Sequence, residues 1–215
     1  MKKVAIGFLF LLITIVFGLV AFNFFQKPTD VFVSRNRKYK VELYGNKQRP
    51  WLFTNTVFAK MFADEEFLAS EEIHSGDAFD TSFESAYKFI NWQNDNVLRF
   101  SYEDKNADKD VDKLTIFNNS SKKLKYIFVR FNEDKYLIFG LNAGASQVLT
   151  KRHSTAIADV YASGTFENDR KIKLGASSPY TEKSVAEKQF QLCLLLEDGE
   201  NNSMNNIVST TDCSQ

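Results

Sequence analysis

Residues 4–25 run for 22 positions without a single charge, and only Thr14 and Asn23 are markedly polar. An α-helix rises about 1.5 Å per residue, so this stretch can cross the ~30 Å hydrocarbon layer of a bilayer. Nothing like it recurs in the chain. The sequence therefore predicts a three-residue leader (1–3), a transmembrane anchor helix (4–25) and a polar body beyond it. A cleaved signal would have a shorter apolar core and small residues at its end. Here the nearest such site ends at Ala21, and Phe22, Phe24 and Phe25 continue the apolar run. No cysteine follows to take a lipid.

Orientation rests on flanking charge. Lys2 and Lys3 precede the span, while Lys27, Arg35, Arg37, Lys38 and Lys40 follow it. A bare count favours a cytoplasmic body. Yet Arg35–Lys40 reads as folded domain, and a short dilysine leader suits an exported anchor. The expected placement is the cell inner membrane, single-pass, with the main domain exported to the periplasmic or extracellular side.

Residues 26–215 are enough for one domain with its own core. The 27 acidic and 27 basic side chains balance, so no basic face points to nucleic acid. Phenylalanine is abundant, at 21 residues, which suits a β-rich core or an apolar contact face. Within the body the sequence divides into a juxtamembrane strand and helical region (26–95), a β-sandwich core (96–197) and a polar, disordered tail (198–215).

Pro28 stops the membrane helix. Lys38–Tyr44 alternates apolar and charged residues, a half-buried strand, and Gly45-Asn46 supplies turn chemistry. Two helices are expected next. Thr56–Ser70 places Val57, Phe58, Met61, Phe62 and Leu68 at helical spacing. Asp80–Trp92 has Thr81 and Glu84 at capping-box spacing, with Phe83, Tyr87 and Ile90 at i, i+4 and i+7. From Asn96 the period becomes two. Strands are expected at Val97–Tyr102, Leu114–Asn118, Leu124–Phe131, Tyr136–Phe139, Gln147–Thr150, Ala156–Tyr161, Lys171–Leu174 and Gln189–Leu196. Short strands separated by turn signals predict an antiparallel β-sandwich with minor helix. The stretch from Leu114 to Val129, with Asn and Ser at its turn, resembles the paired strands of immunoglobulin-like envelope domains. That resemblance implies an Ig-like sandwich.

Chemistry is sparse. Asp104, Asn106, Asp108, Asp110 and Asp112 set oxygen ligands at alternate positions, as a hard cation needs. The EF-hand pattern, however, wants Gly at its sixth position and Glu at its twelfth, and here Lys109 and Thr115 stand there. Lys105, Lys109 and Lys113 also set positive charge beside the would-be ligands, so a solvated hairpin loop is the favoured reading of the run. His74 lies near Glu71, Glu72 and Asp77; a surface histidine in a polar loop is the favoured reading, and a carboxylate–histidine site there would make an envelope hydrolase or metal-dependent enzyme. His153 follows Lys151-Arg152 in a loop-like segment. No Gly-x-Ser-x-Gly elbow, Walker loop or His-Glu-x-x-His is present, and no cofactor is expected. Cys193 and Cys213 either pair in an oxidising compartment, closing a loop worth roughly 3 kcal/mol, or remain separate thiols. Asn118, Asn119 and Asn201 each begin an N-x-[ST] sequon, which matters only in a eukaryotic secretory route.

Gly7-Phe8 before the apolar run also suggests a pilin-like or secretion-apparatus subunit. Pilins carry Glu where Leu12 stands here, and they continue as a long helix where Val31–Tyr44 reads as strand. The favoured expectation is non-enzymatic: a membrane-anchored envelope protein whose β-rich domain binds or scaffolds an envelope protein partner. The Phe-rich stretch Phe53–Phe67 reads first as ordinary core packing, with an apolar contact patch as the alternative. The basic run Arg35, Arg37, Lys38 and Lys40 either touches anionic headgroups or is a solvated strand face.

Overall fold

Three strands, at 97–101, 124–131 and 134–139, are buried on both faces, and that property organises the molecule. The computed structural model describes residues 27–45, 56–74, 87–101, 111–152, 158–178, 191–196 and 207–208. Among them fourteen strands form: β1 (Asp30–Val33), β2 (Tyr39–Gly45), β3 (Val57–Ala63), β4 (Glu66–His74), β5 (Phe89–Asn94), β6 (Val97–Ser101), β7 (Val111–Asn118), β8 (Leu124–Phe131), β9 (Asp134–Phe139), β10 (Ser146–Arg152), β11 (Ala158–Phe166), β12 (Lys171–Ser178), β13 (Gln191–Leu196) and β14 (Ile207–Val208). They build three sheets. The first is an antiparallel meander, β1-β2-β3-β4; the central sheet has six strands in the order β12-β11-β8-β9-β6-β5; the third runs β10-β7-β13-β14.

The central sheet packs on both sides. On one face Leu98, Phe100, Phe128, Leu137 and Phe139 meet Val41, Leu43, Val57 and Met61 of the first sheet. On the other, Val97, Ile127, Val129, Phe131 and Ile138 meet Leu114, Ile116 and Leu149 of the third. Side chains alternate along a strand, so every residue of β6 is buried, as are most of β8 and β9. Burying each such large apolar side chain contributes about 1.5–3 kcal/mol. Tyr39 stacks on Phe139 with ring centroids 4.8 Å apart, tying the first sheet to the central one.

The antiparallel, β-rich expectation agrees with this architecture, but several particulars differ. The predicted helix at Thr56–Ser70 is the β3–β4 hairpin. Its turn residues, Asp64 and Glu65, both take positive φ, 48° and 67°, which is the backbone of a two-residue hairpin turn twisted to match its strands. Val57, Ala59 and Met61 point into the core and Phe58 points out, an alternation of period two. The second predicted helix, Asp80–Trp92, lies outside the described residues over 80–86; its end forms β5, paired to β6 across Asp95-Asn96. Where the two expected helices fall on described residues, cross-strand pairing overrides local spacing.

Strand placement elsewhere follows the sequence closely, β8 residue for residue. The resemblance to paired strands does not extend to pairing: β7 and β8 belong to different sheets and face each other across a core. One pairing is parallel, Lys113–Asn118 alongside Gln191–Leu196, with five of the described strands between them in the chain. The tail expected to be disordered contributes β14, which pairs with Cys193 and Leu194. Strand structure at 30–33 and 39–45 replaces the continuous helix that a pilin-like subunit would need there. Among the described residues no helix is long and apolar enough to cross a membrane. The predicted anchor, 4–25, lies outside them.

Candidate interaction surface

The first sheet buries one face against the central sheet and presents the other outward. β1 begins at Asp30, and its side chains alternate between half-buried Phe32 and exposed Val31 and Val33. Register sets the outer face: Val31 lies opposite Glu42, Val33 opposite Lys40, Phe58 opposite Tyr44, and Lys60 opposite Glu42 and Ser70. Exposure there is high for apolar side chains: Val31 49%, Val33 47%, Phe58 42% and Phe67 59%. Phe67 meets Phe62 edge-on at 5.8 Å.

Lysines interleave with these rings. Lys40 Nζ lies 4.4 Å from the Phe62 centroid, and Lys60 Nζ lies 4.0 Å from that of Tyr44. Such contacts are worth about 0.5–1 kcal/mol at exposed sites. Lys40 also pairs with Glu42 at 3.0 Å, and the Tyr44 hydroxyl donates to the same carboxylate at 2.7 Å. Burial pushes the Glu42 carboxyl up, but the hydrogen bonds from Tyr44 and Lys40 outweigh it and bring it below its ordinary range. Burial, and donation to Glu42, push the Tyr44 phenol up to about 12. The face is thus a mosaic of apolar side chains and lysines laid over aromatic rings. Of the Phe-rich stretch, Phe58 and Phe67 are exposed and Phe62 half-buried, whereas Phe53 lies outside the described residues.

The basic run divides between two places. Arg35, Arg37 and Lys38 are exposed in the β1–β2 turn, and Lys40 is on the outer face. The acidic β3–β4 turn is adjacent, since the Asp64 amide donates to the Lys38 carbonyl at 2.8 Å.

Around His74 the structure separates what the sequence groups. Glu71 and Glu72 are successive strand residues and point to opposite faces. Glu71 turns inward, where its carboxylate accepts from the Tyr126 hydroxyl at 3.2 Å and burial raises its pKa; Glu72 is exposed. The His74 ring stands edge-on to Tyr87 at 6.1 Å. Lys135, which sequence reasoning missed, donates to the Ile73 carbonyl and sits 5.1 Å over the Tyr87 ring. Burial, helped by the Arg130 charge, lowers its pKa to about 8. Asp77 and His153 lie outside the described residues.

Asp104, Asn106, Asp108 and Asp110 also lie outside them. Asp112 is on β7, opposite Lys151. Among the described residues no three His, Cys, Asp or Glu side chains gather to hold a metal ion. Cys193 is on β13 and Cys213 lies outside the described residues.

No protein-family model matches this chain, and no curated protein matches it. One solved structure, the NMR structure of a protein from Eubacterium rectale, is similar to 42% of this chain and 82% of its own, at 15% identity and a TM-score of 0.31.

Proposed function

We propose that this chain is a single-pass, membrane-tethered protein of the cell envelope whose exported β-rich domain acts as a non-enzymatic module that binds or positions an envelope protein. One observation carries the proposal. The 22-residue uncharged run ends only four residues before the first strand of a β-rich domain. A domain tethered in this way spends its time beside the bilayer, where sheet edges and faces serve recognition. The Ig-like reading applies to the two sheets that face each other across Phe131 and Leu149. A bond between Cys193 and Cys213 would follow from export.

Two measurements test this. Protease added to intact cells should remove the domain, and a reporter fused after Gln215 should be active only outside the cytoplasm; a protected, cytoplasmic domain would refute export. Crosslinking in native membranes should then recover one dominant protein neighbour, and recovery of none under several chemistries would refute the binding role.

A further inference from the structure

The outer face of the first sheet combines four exposed apolar side chains with two lysines laid over aromatic rings, and nothing in the tethered-module role accounts for it. We infer that this face rests on the bilayer itself, in the interfacial layer between headgroups and acyl chains, so that the domain lies on the membrane in one fixed orientation. The inference builds on the membrane-tethered reading above.

Reach is the first reason. Residues 26–29 alone separate the apolar run from β1, and four residues extend at most about 14 Å. The strand that emerges carries Val31 and Val33 outward on this very face. Phe58 and Phe67 extend the same face across β3 and β4. A surface held that close to lipid meets it continually.

Composition is the second. Protein–protein interfaces are depleted of lysine at their centres. Here Lys40 and Lys60 lie in the middle of the patch, their ammonium groups over rings at 4.4 and 4.0 Å. Lysine ammonium groups held over aromatic rings suit the water–lipid boundary, where aromatic and basic residues anchor membrane proteins. Charge does not demand an anionic lipid, because the basic β1–β2 turn sits against the acidic Asp64-Glu65 turn. Zwitterionic lipid should suffice.

The test uses the full chain reconstituted in phosphatidylcholine vesicles, with a fraction of the lipid carrying a diazirine near the top of its acyl chain. After illumination, adducts are mapped by peptide mass spectrometry. Adducts are expected in 4–25 and also in peptides covering 30–33 and 58–67. Val148 on β10 and Phe89 on β5 are comparably exposed apolar residues on other sheets and should stay unlabelled. The F58K/F67K variant alters exposed positions only; its labelling at 30–33 and 58–67 should fall about tenfold, with labelling of 4–25 unchanged. Adducts in 4–25 alone would overturn the inference and leave the tether intact. Adducts nowhere would overturn the tether and the inference together. Equal labelling at Val148 and Phe89 would show indiscriminate contact and overturn the inference. In native membranes, benzoylphenylalanine at position 67 should yield lipid adducts; a discrete protein adduct would instead make this face the partner site and overturn the inference.

Discussion

Arg99 directs two guanidinium N–H groups, from Nε at 3.1 Å and Nη2 at 2.7 Å, onto Oδ2 of Asp134 inside the core between the central and third sheets. Arg99 lies opposite Tyr136 in the β6–β9 register, and Asp134 is two residues from Tyr136 on the same face. The Tyr136 hydroxyl reaches both Asp134, at 3.2 Å, and the Thr150 carbonyl of the third sheet, at 2.9 Å. The triad thus links two layers. Removing one charge strands the other in a medium that cannot solvate it, so Asp134→Leu or Arg99→Met alone should destabilise the fold by about 3–5 kcal/mol. The paired change R99M/D134L removes both charges and should cost less than either single change. Urea unfolding of the four proteins of this cycle checks the ordering, and additive losses would show that the pair is not coupled.

Asn118 closes the passage between sheets. β7 leaves the third sheet here, and β9 returns to it through Gly140–Ala145. The Asn118 side-chain amide donates to the Lys122 carbonyl at 2.9 Å and the Leu141 carbonyl at 3.0 Å, while its Oδ1 accepts from the Ser120 hydroxyl at 2.6 Å. Asn118→Ala removes these bonds from a fully buried site and takes away the Oδ1 acceptor of the Ser120 amide, so it should cost about 2–4 kcal/mol, whereas Ser120→Ala, which removes one hydroxyl, should cost about 1 kcal/mol. Thermal unfolding measures both. Asn118 is fully buried, so its sequon is closed to a glycan in the folded chain, while Asn119 is exposed.

Much of the strand order was legible because β2 and the residues around β8 alternate cleanly and end in Asn, Ser or Gly turns. The β3–β4 hairpin was not. Val57, Phe58, Met61 and Phe62 satisfy a helical and an alternating pattern equally, and Asp64-Glu65 contains no glycine or asparagine to betray a turn with two positive φ values. The third layer was hidden for another reason. Tyr126–Phe131 and Tyr136–Phe139 are nearly unbroken apolar runs, the mark of strands covered on both faces, yet each also fits a two-sheet sandwich. The parallel β7–β13 pair joins residues nearly eighty positions apart, which no local period reveals. At the candidate surface the Phe-rich stretch stood out in the sequence. That Lys40 and Lys60 lie over rings depends on cross-strand register, and so does the meeting of Arg99 with Asp134.

Gly164 marks a close approach of β11 to β8. A Cβ built there would stand 2.6 Å from the Tyr126 carbonyl oxygen and 3.0 Å from Ile127 Cα. Both atoms are backbone in a paired strand and cannot turn aside as a side chain would. Gly164→Ala should therefore push the strands apart and destabilise the fold by about 1–3 kcal/mol. Gly144 in the β9–β10 connection is the comparison, because a Cβ there meets nothing within 4 Å. Its alanine variant suffers only the strain of φ +71°. Calorimetric melting temperatures should fall further for Gly164→Ala, and equal losses would argue against steric contact as the cause.

Lys135 gives the fold an alkaline signature. In the folded chain its ammonium loses its proton near pH 8, against an ordinary value of 10.5, because burial penalises the charged form. The unfolded lysine keeps its proton through that interval, so the unfolded state binds more protons and stability rises with pH. The cost of the buried charge is present in full below pH 8 and is relieved as pH climbs toward 10.5, a change of about 3 kcal/mol. Tyrosines act in the opposite sense at the top of this range. Burial holds the phenols of Tyr87, Tyr126 and Tyr136 above 10.0, so their unfolded forms ionise first and stability falls beyond about pH 10. The folded chain should therefore gain resistance to urea from pH 8 to about pH 9.5 and lose it above pH 10. Lys135→Met should flatten the rise and keep the fall, and an unchanged rise in that variant would assign the titration to another group.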